Sequence, residues 1–241
     1  MTSISIVIPC YNESDSVFQL RDRLLPVLDR ISSRYTVELI LVDDGSTDDT
    51  FDQLSKAFGD RAEARIVRHP KNLNLGGAIR TGIKESSGDL IANLDSDCTY
   101  DPDLLEPMLV EIERGADFVT VSPYHPLGLV DGVPPRRLLL SKGLSAIYQF
   151  ILRKRIYTYT ALNRVYRRTI VEQIGSPEFD FTCLAEMMLK ALKQNHRVVE
   201  VPAVLRVRQF GQSKMKVANT IKAHLRLLRR LVLAPKTFLH G

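Results

Sequence analysis

The sequence predicts an α/β protein whose single, mostly parallel sheet is covered by helices. Three observations predict it. Short β-branched runs alternate with helical patterns along the first half of the chain. The first of these runs, Ile4-Ser5-Ile6-Val7-Ile8, is rich in β-branched residues and reads as a buried strand. Polar turn clusters close three of them, and ligands of such sheets bind beyond the carboxyl ends of the strands.

The elements follow in order. Ile4-Ser5-Ile6-Val7-Ile8 reads as a buried strand ended by Pro9, and a helical pattern covers 14–32. Val37-Glu38-Leu39-Ile40-Leu41-Val42 is a second strand, stopped at Asp43-Asp44-Gly45-Ser46. Thr47 or Asp48 caps a helix running to Phe58. Arg65-Ile66-Val67-Arg68 is a third strand, and Gly76-Gly77 opens a helix to Glu85. Leu90-Ile91-Ala92-Asn93-Leu94 is a fourth strand with Asp95 at its carboxyl end. A helix over 104–114 and a strand at 118–121 complete the alternation.

Beyond residue 122 the rhythm changes. A Pro- and Gly-rich loop spans 122–135, and a helix over 136–155 carries Leu140, Leu144, Ile147 and Ile151 on one face. Helices are expected again at 183–194 and 217–233, with a strand at 198–201 between them. In the last helix Ile221, Leu225, Leu228 and Val232 line one face, and Lys222, Arg226 and Arg229 another. The division expected is a domain over 1–215 and a basic amphipathic helix and tail over 216–241.

The net charge of +5 is unevenly spread. Residues 201–241 hold nine Lys or Arg and no Asp or Glu, so residues 1–200 carry 24 basic against 28 acidic side chains. Such a block calls for an anionic partner or a solvated surface: nucleic acid, anionic lipid and a phosphorylated substrate all qualify. The block lacks interleaved aromatics and nucleic-acid motifs, so no nucleic acid is expected. Cys10, Cys98 and Cys183 are far apart and fit a reducing compartment better than a disulfide framework. No signal peptide and no membrane-spanning run is expected.

Asp95-Ser96-Asp97 is the strongest chemical signal. Two carboxylates one residue apart at a strand end suit Mg²⁺ or Mn²⁺, hard cations that bind oxygen. Alone, the triplet is a weak signal, since Asp-x-Asp in a turn is usually just a turn. Asp43–Asp44 reads either as a helix-capping turn or as a binding pair. Four blocks in order supply the context: Ile6-Val7-Ile8-Pro9-Cys10-Tyr11-Asn12-Glu13, Val42-Asp43-Asp44-Gly45-Ser46-Thr47-Asp48, the stretch 72–82, and Leu94-Asp95-Ser96-Asp97. Together they resemble family 2 glycosyltransferases of the GT-A fold. Tyr166-Arg167-Arg168, Glu200-Val201-Pro202 and Arg208-Gln209-Phe210-Gly211-Gln212-Ser213-Lys214 narrow this to a resemblance to dolichyl-phosphate mannosyltransferases and their polyprenyl-phosphate relatives.

The resemblance implies a metal-dependent, inverting hexose transfer to a polyprenyl phosphate, with GDP-mannose as leading donor and a UDP-sugar as the other possibility. It implies nucleoside contacts from Pro9, Tyr11, Glu13, Val42 and Asp44. Asp95, Ser96 and Asp97 match the metal and diphosphate positions, and Arg208 and Lys214 match cations on the phosphates. Asp97, Arg208 and Lys214 are therefore the catalytic candidates. Glu186 stands where other family 2 enzymes carry a base, although a phosphate acceptor is already an anion; it serves structure or substrate orientation as readily. Thr99 replaces the usual third metal contact, a Gln. Ala161-Leu162-Asn163-Arg164 replaces Ser-Gly-Phe-Arg, and Pro123 falls near a missing family arginine. A polyprenyl acceptor implies a peripheral enzyme on the cytoplasmic face of a membrane, held by the helices 136–155 and 217–233. The other function class in play is transfer to a saccharide or small molecule, which needs a general base, Glu186 or Asp180. A degenerate, inactive member is the third reading.

Overall fold

A computed structural model describes residues 1–133, 135–175, 182–208, 217–233 and 238; for 135–137 and 217–218 it describes the backbone alone. Seven strands form the main sheet: β1 (Thr2–Cys10), β2 (Tyr35–Asp43), β3 (Ala64–Arg68), β4 (Leu90–Asn93), β5 (Phe118–Ser122), β7 (Arg164–Arg167) and β8 (Val198–Pro202). Their order is β3-β2-β1-β4-β7-β5-β8. Every neighbouring pair is parallel except those that β7 makes with β4 and β5. A second, two-stranded sheet joins β6 (Leu129–Val130) to β9 (Val204–Leu205).

The helices are α1 (Val17–Ile31), α2 (Thr50–Phe58), α3 (Asn74–Glu85), α4 (Leu105–Glu113), α5 (Pro135–Leu152), α6 (Arg168–Ile174), α7 (Cys183–Lys193) and α8 (Val217–Leu233). Side chains alternate along β1 to feed both faces of the sheet. Ile4, Ile6 and Ile8 pack with Leu20, Leu24 and Val27 of α1 and Met108 of α4. Val7 lies in the opposite core with Ile40, Val42, Ala78, Phe118, Tyr148 and Leu227. This two-sided burial is why apolar residues stand next to one another along β1 at Ile6-Val7-Ile8.

Two departures from the expectation shape the main sheet. β1 continues through Pro9 to Cys10. Val7 C=O accepts from Leu94 N–H, so Pro9, two residues on, faces the same side, where pairing with β4 has already ended at Val7. The missing N–H of Pro9 therefore costs the ladder nothing. The other difference is β7, a central antiparallel strand with charged residues at both ends. Its Arg164 is fully buried and donates to the Ala161 and Leu184 carbonyls, while burial lowers its pKa to about 10. Tyr166 stacks on Phe118 at 5.3 Å and donates its hydroxyl to Asn93 Oδ1 at 2.7 Å.

α8 forms over the expected residues, and the face it buries is not the one that Ile221, Leu225 and Val232 line. Ala223, His224, Leu227 and Leu231 are buried, whereas Ile221, Leu225 and Val232 are exposed. The helix is apolar on two sides, and composition alone did not say which side meets the core. Tyr148 of α5 contacts His224 Nδ1 at 2.9 Å, tying the two late helices together.

Candidate active site

The carboxyl ends of β1, β2 and β4 are fastened to one another by side chains. Asn12, at φ 52°, turns the chain after β1; its N–H donates to Ser46 Oγ, and its Oδ1 accepts from Thr47 N–H. Glu13 N–H donates to Thr50 Oγ1 at 2.7 Å. Asp48 accepts from the Thr50 N–H and hydroxyl, so it organises the entry to α2. Gly45, at φ 69°, lets the turn after β2 approach the backbone of residues 71–72: an added Cβ would fall 2.7 Å from Asn72 N.

Asp44 is buried and fully engaged. Its Oδ1 accepts from Leu73 N–H at 2.8 Å and contacts His69 Nδ1 at 2.7 Å, and its Oδ2 accepts from Asn72 Nδ2 at 2.9 Å. Burial raises its pKa, and the bonds from Leu73 and His69 pull it back. His69 Nε2 meets Thr81 Oγ1 at 2.8 Å, which fastens α3 to the same loop. Asp43 is buried beside it: Oδ1 accepts from Ser46 N–H, and Arg68 Nε lies 3.1 Å from Oδ2.

An acidic cluster forms beyond β4. Asp95 Oδ2 accepts from Tyr100 N–H at 3.0 Å, but its Oδ1 is buried and accepts no hydrogen bond. Burial first, and then the neighbouring Asp97, push the Asp95 carboxyl well above the usual carboxylate range. Asp97 Oδ1 accepts from the N–H and hydroxyl of Thr99, at 3.0 and 2.6 Å. Arg208 lies across the cluster, with Nε 3.3 Å from Asp97 Oδ2 and its other arm on Glu13 Oε2. Burial raises the Glu13 pKa, against the pull of Arg208. Arg208 is steadied by its own strand end, where Arg206 N–H donates to Thr99 C=O at 3.1 Å.

Three carboxylates thus face one guanidinium. Asp95 carries a buried acceptor atom that accepts no hydrogen bond from the described residues, an arrangement that suits a bound cation. Among the described residues no three His, Cys, Asp or Glu side chains form a complete metal cage. Two carboxylates suffice where substrate phosphates complete the shell, as is usual for Mg²⁺. The Asp95–Asp97 pair therefore fits a divalent metal shared with a diphosphate.

The structure brings Glu13, Asp97 and Arg208 into contact, with Asp95 and Ser96 directly before Asp97 in the loop after β4 and the Asp95 charge also acting on Arg208. Tyr11 is half-buried next to them in the chain. Pro9 and Val42 pair across β1 and β2, and the Val42 side chain is in the core, so only its backbone faces the edge. The Thr99 hydroxyl is turned onto Asp97. Glu186 is buried on α7 and ion-paired to Lys190 at 3.3 Å and to Arg230 of α8 at 3.6 Å. Lys214 and Asp180 lie outside the described residues. Sequence reasoning missed His69 and Asn163. His69 follows directly on a strand end, a signal that was there to read. Asn163, whose Oδ1 accepts the Asp95 N–H, showed only as a departure from a motif.

A doubly covered parallel sheet with a metal-ready carboxylate pair at its carboxyl edge defines a GT-A glycosyltransferase. The chain belongs to glycosyl transferase family 2, which its residues 5–175 match. It is 29% identical to the dolichol-phosphate mannosyltransferase of Pyrococcus furiosus over 95% of this chain, which spans only 63% of that relative's length. It is 31% identical to the polyprenol monophosphomannose synthase of Mycolicibacterium smegmatis, covering 90% of this chain and 83% of that protein. An undecaprenyl-phosphate 4-deoxy-4-formamido-L-arabinose transferase of Photorhabdus laumondii is 30% identical, over 96% and 69%. In fold the chain matches glucosyl-3-phosphoglycerate synthase of Mycobacterium tuberculosis, solved with Mn²⁺, uridine diphosphate and phosphoglyceric acid, with a TM-score of 0.68 at 18% identity over 96% of this chain and 78% of that one.

Proposed function

We propose that the chain transfers a hexose, with mannose from GDP-mannose the leading donor, to a polyprenyl phosphate. The observation that carries the reading is the Asp95–Asp97 pair with its unsatisfied buried oxygen, facing Glu13 and Arg208. Asp95 and Asp97 would hold Mg²⁺ or Mn²⁺, whose charge stabilises the departing diphosphate. Thr99 steadies Asp97 rather than filling a ligand position. Pro9, Tyr11, Glu13 and the Val42 backbone border the nucleoside, and Asp44 shapes its loop. Arg208 exchanges its carboxylate partners for phosphate oxygens when substrate arrives, and Lys214 adds a second cation. An acceptor phosphate oxygen attacks the anomeric carbon as the bond to the β-phosphate oxygen breaks, inverting the configuration. The attacking oxygen is already anionic, so Glu186 need not act as a base.

The acceptor's lipid places the enzyme at a membrane. No helix among the described residues is long and apolar enough to cross one. The outer sides of α5 and α8 expose Phe150 at 85% and Leu225 at 60%, near the exposed basic residues Arg153, Lys154, Arg155, Lys222 and Arg226. Apolar side chains flanked by basic ones suit the headgroup region of an anionic bilayer.

Calorimetry with GDP and with UDP, each with Mn²⁺ and with EDTA, tests the reading first. Metal-dependent binding of GDP, followed by mannosyl transfer from GDP-mannose to a short polyprenyl phosphate, is expected. UDP binding alone redirects the donor to a UDP-sugar; binding of neither refutes the reading.

A further inference from the structure

α5 is apolar on two sides. Its inner side packs Leu144, Tyr148, Ile151 and Leu152 into the core with Tyr159 and Leu227. Its outer side carries Leu139, Lys142, Gly143, Ala146, Ile147 and Phe150, all exposed. Spacings of three and four residues put these six on one stripe. Leu139 is 74% exposed and Phe150 85%. A Cβ added at Gly143 would meet no described atom within 4 Å apart from its own helix backbone, so the middle of the stripe is open. Lys142 is the only charged residue from 138 to 152.

That one cation is held at the carboxyl edge of the sheet. Lys142 Nζ lies 5.2 Å from the centre of the Tyr124 ring, and Tyr124 is the second residue beyond β5. β7 stands between β4 and β5 and runs antiparallel to both, so β4 and β5 end at the same edge. Two strand spacings, about 10 Å, separate those ends. From Lys142 the helix rises about 12 Å to Phe150. The pattern is one positive charge beside the edge that carries Asp95 and Asp97, followed by apolar surface leading away from it. An anionic head on an apolar chain complements that pattern. Basic residues that meet lipid headgroups flank an apolar face, as the exposed Arg153, Lys154 and Arg155 do at the end of α5. Lys142 instead lies within the stripe and is turned onto Tyr124.

We propose that this stripe seats the acceptor in the reaction proposed above, a reading on which the inference rests. Lys142 pairs with the phosphate of an isoprenoid phosphate, and Ala146, Ile147 and Phe150 take the prenyl units nearest to it. At a bilayer surface the same stripe receives the chain as it leaves the lipid.

The test uses the whole chain with Mg²⁺ and GDP, titrated by calorimetry with farnesyl phosphate and with isopentenyl phosphate, both below their micelle concentrations. Farnesyl phosphate is long enough to reach Phe150, and isopentenyl phosphate is not. Lys142→Gln is expected to weaken both about tenfold, the size of one charge-assisted hydrogen bond. Phe150→Ser is expected to weaken farnesyl phosphate about tenfold and leave isopentenyl phosphate unchanged, because only the longer chain covers the ring. Unchanged affinity of Lys142→Gln for both phosphates overturns the phosphate contact. Phe150→Ser is also compared with wild type for binding to vesicles of phosphatidylglycerol and phosphatidylcholine and for sedimentation. If it weakens vesicle binding or splits a dimer and leaves farnesyl phosphate affinity unchanged, the stripe faces a bilayer or a second copy, and the seat is overturned. Binding of neither GDP nor UDP by wild type refutes the proposed function, and a separate titration without nucleotide shows whether the isoprenoid phosphate seat survives that result.

Discussion

Replacing Asp44 by Ala removes a knot that holds the loop between β3 and α3. Three groups lose their acceptor: the Leu73 N–H, the Asn72 amide and the His69 ring. An ionised carboxylate only accepts, so His69 carries its proton on Nδ1 and takes the Thr81 hydroxyl on Nε2. Leu73 and Asn72 are half-buried, so water reaches them after truncation and each loss costs about 1 kcal/mol. His69 is buried, and its stranded N–H costs about 1–3 kcal/mol. The three bonds share one partner and do not add fully, which makes about 3 kcal/mol the expected loss. For a chain of this length that is a fall in melting temperature of roughly 6–12 °C. Asp44→Asn keeps the oxygen that serves Leu73 and His69 and misplaces only the bond from Asn72, a loss of about 1 kcal/mol. Urea unfolding of the three proteins measures both numbers, with unchanged slopes showing that stability alone has moved. A loss under 1 kcal/mol for Asp44→Ala, or equal losses for Ala and Asn, refutes the assignment of Asp44 as the organiser of this loop.

Three further outcomes are expected. At Gly82 of α3 an added Cβ would overlap Val7 Cγ1 of β1, so Gly82→Ala should cost about 1–3 kcal/mol in urea unfolding, and a neutral effect would show that the helix can stand off the sheet. Burial holds the Glu200 carboxyl above its ordinary value of 4.5, although Tyr157 and Thr158 N–H groups pull it down. Its raised folded pKa makes its contribution fully present below the unfolded value and lost as pH rises through the folded one. Glu200→Gln should flatten that part of the stability curve above pH 4.5, and identical slopes in the two proteins would contradict it. Mn²⁺ at about one hundred times its dissociation constant should stabilise the protein by about 2.7 kcal/mol, read as a rise in melting temperature. EDTA or Asp97→Ala should abolish that rise, and its survival in Asp97→Ala would remove Asp97 from the metal site.

The parallel half of the sheet was legible because its strands are buried on both sides, and Ile4, Ile6, Ile8 and Val7 announce that in their order. β7 was not, since Arg164-Val165-Tyr166-Arg167 looks like surface chain until the carbonyls of Ala161 and Leu184 are seen to take the buried guanidinium. The direction of α8 was hidden for a related reason: Leu225 and Leu227 are chemically alike, and only the neighbouring helices decide which is buried. At the edge of the sheet, residue types were readable and their partners were not. Thr99 reads as a metal ligand by position, and only the structure shows that its hydroxyl also donates to Asp97. His69 was marked only by following a strand end and Asn163 only by breaking a motif, and neither position says which groups the side chain contacts.

Counting oxygens separates scaffold from chemistry among the acidic residues at this edge. Asp44 has both oxygens occupied, and Asp48 spends its carboxylate on Ser14 and Thr50. These carboxylates do the work that backbone ladders do within the sheet, holding turns that have no strand to pair with. Asp97 divides its two oxygens: one anchors Thr99, and the other faces Arg208, a partner a phosphate can draw away. Asp95 keeps a buried oxygen that accepts no hydrogen bond from the described residues, at the point where burial and a second carboxylate make its charge most costly. A carboxylate that serves only the fold would have been paired or replaced there, because an unsatisfied buried acceptor weakens the protein without return. In the proposed reaction that cost would be offset when a cation and a diphosphate arrive together, which would give the acidic edge to the donor and leave Arg208 and the basic late helices to the phosphates and the surface that carries the acceptor.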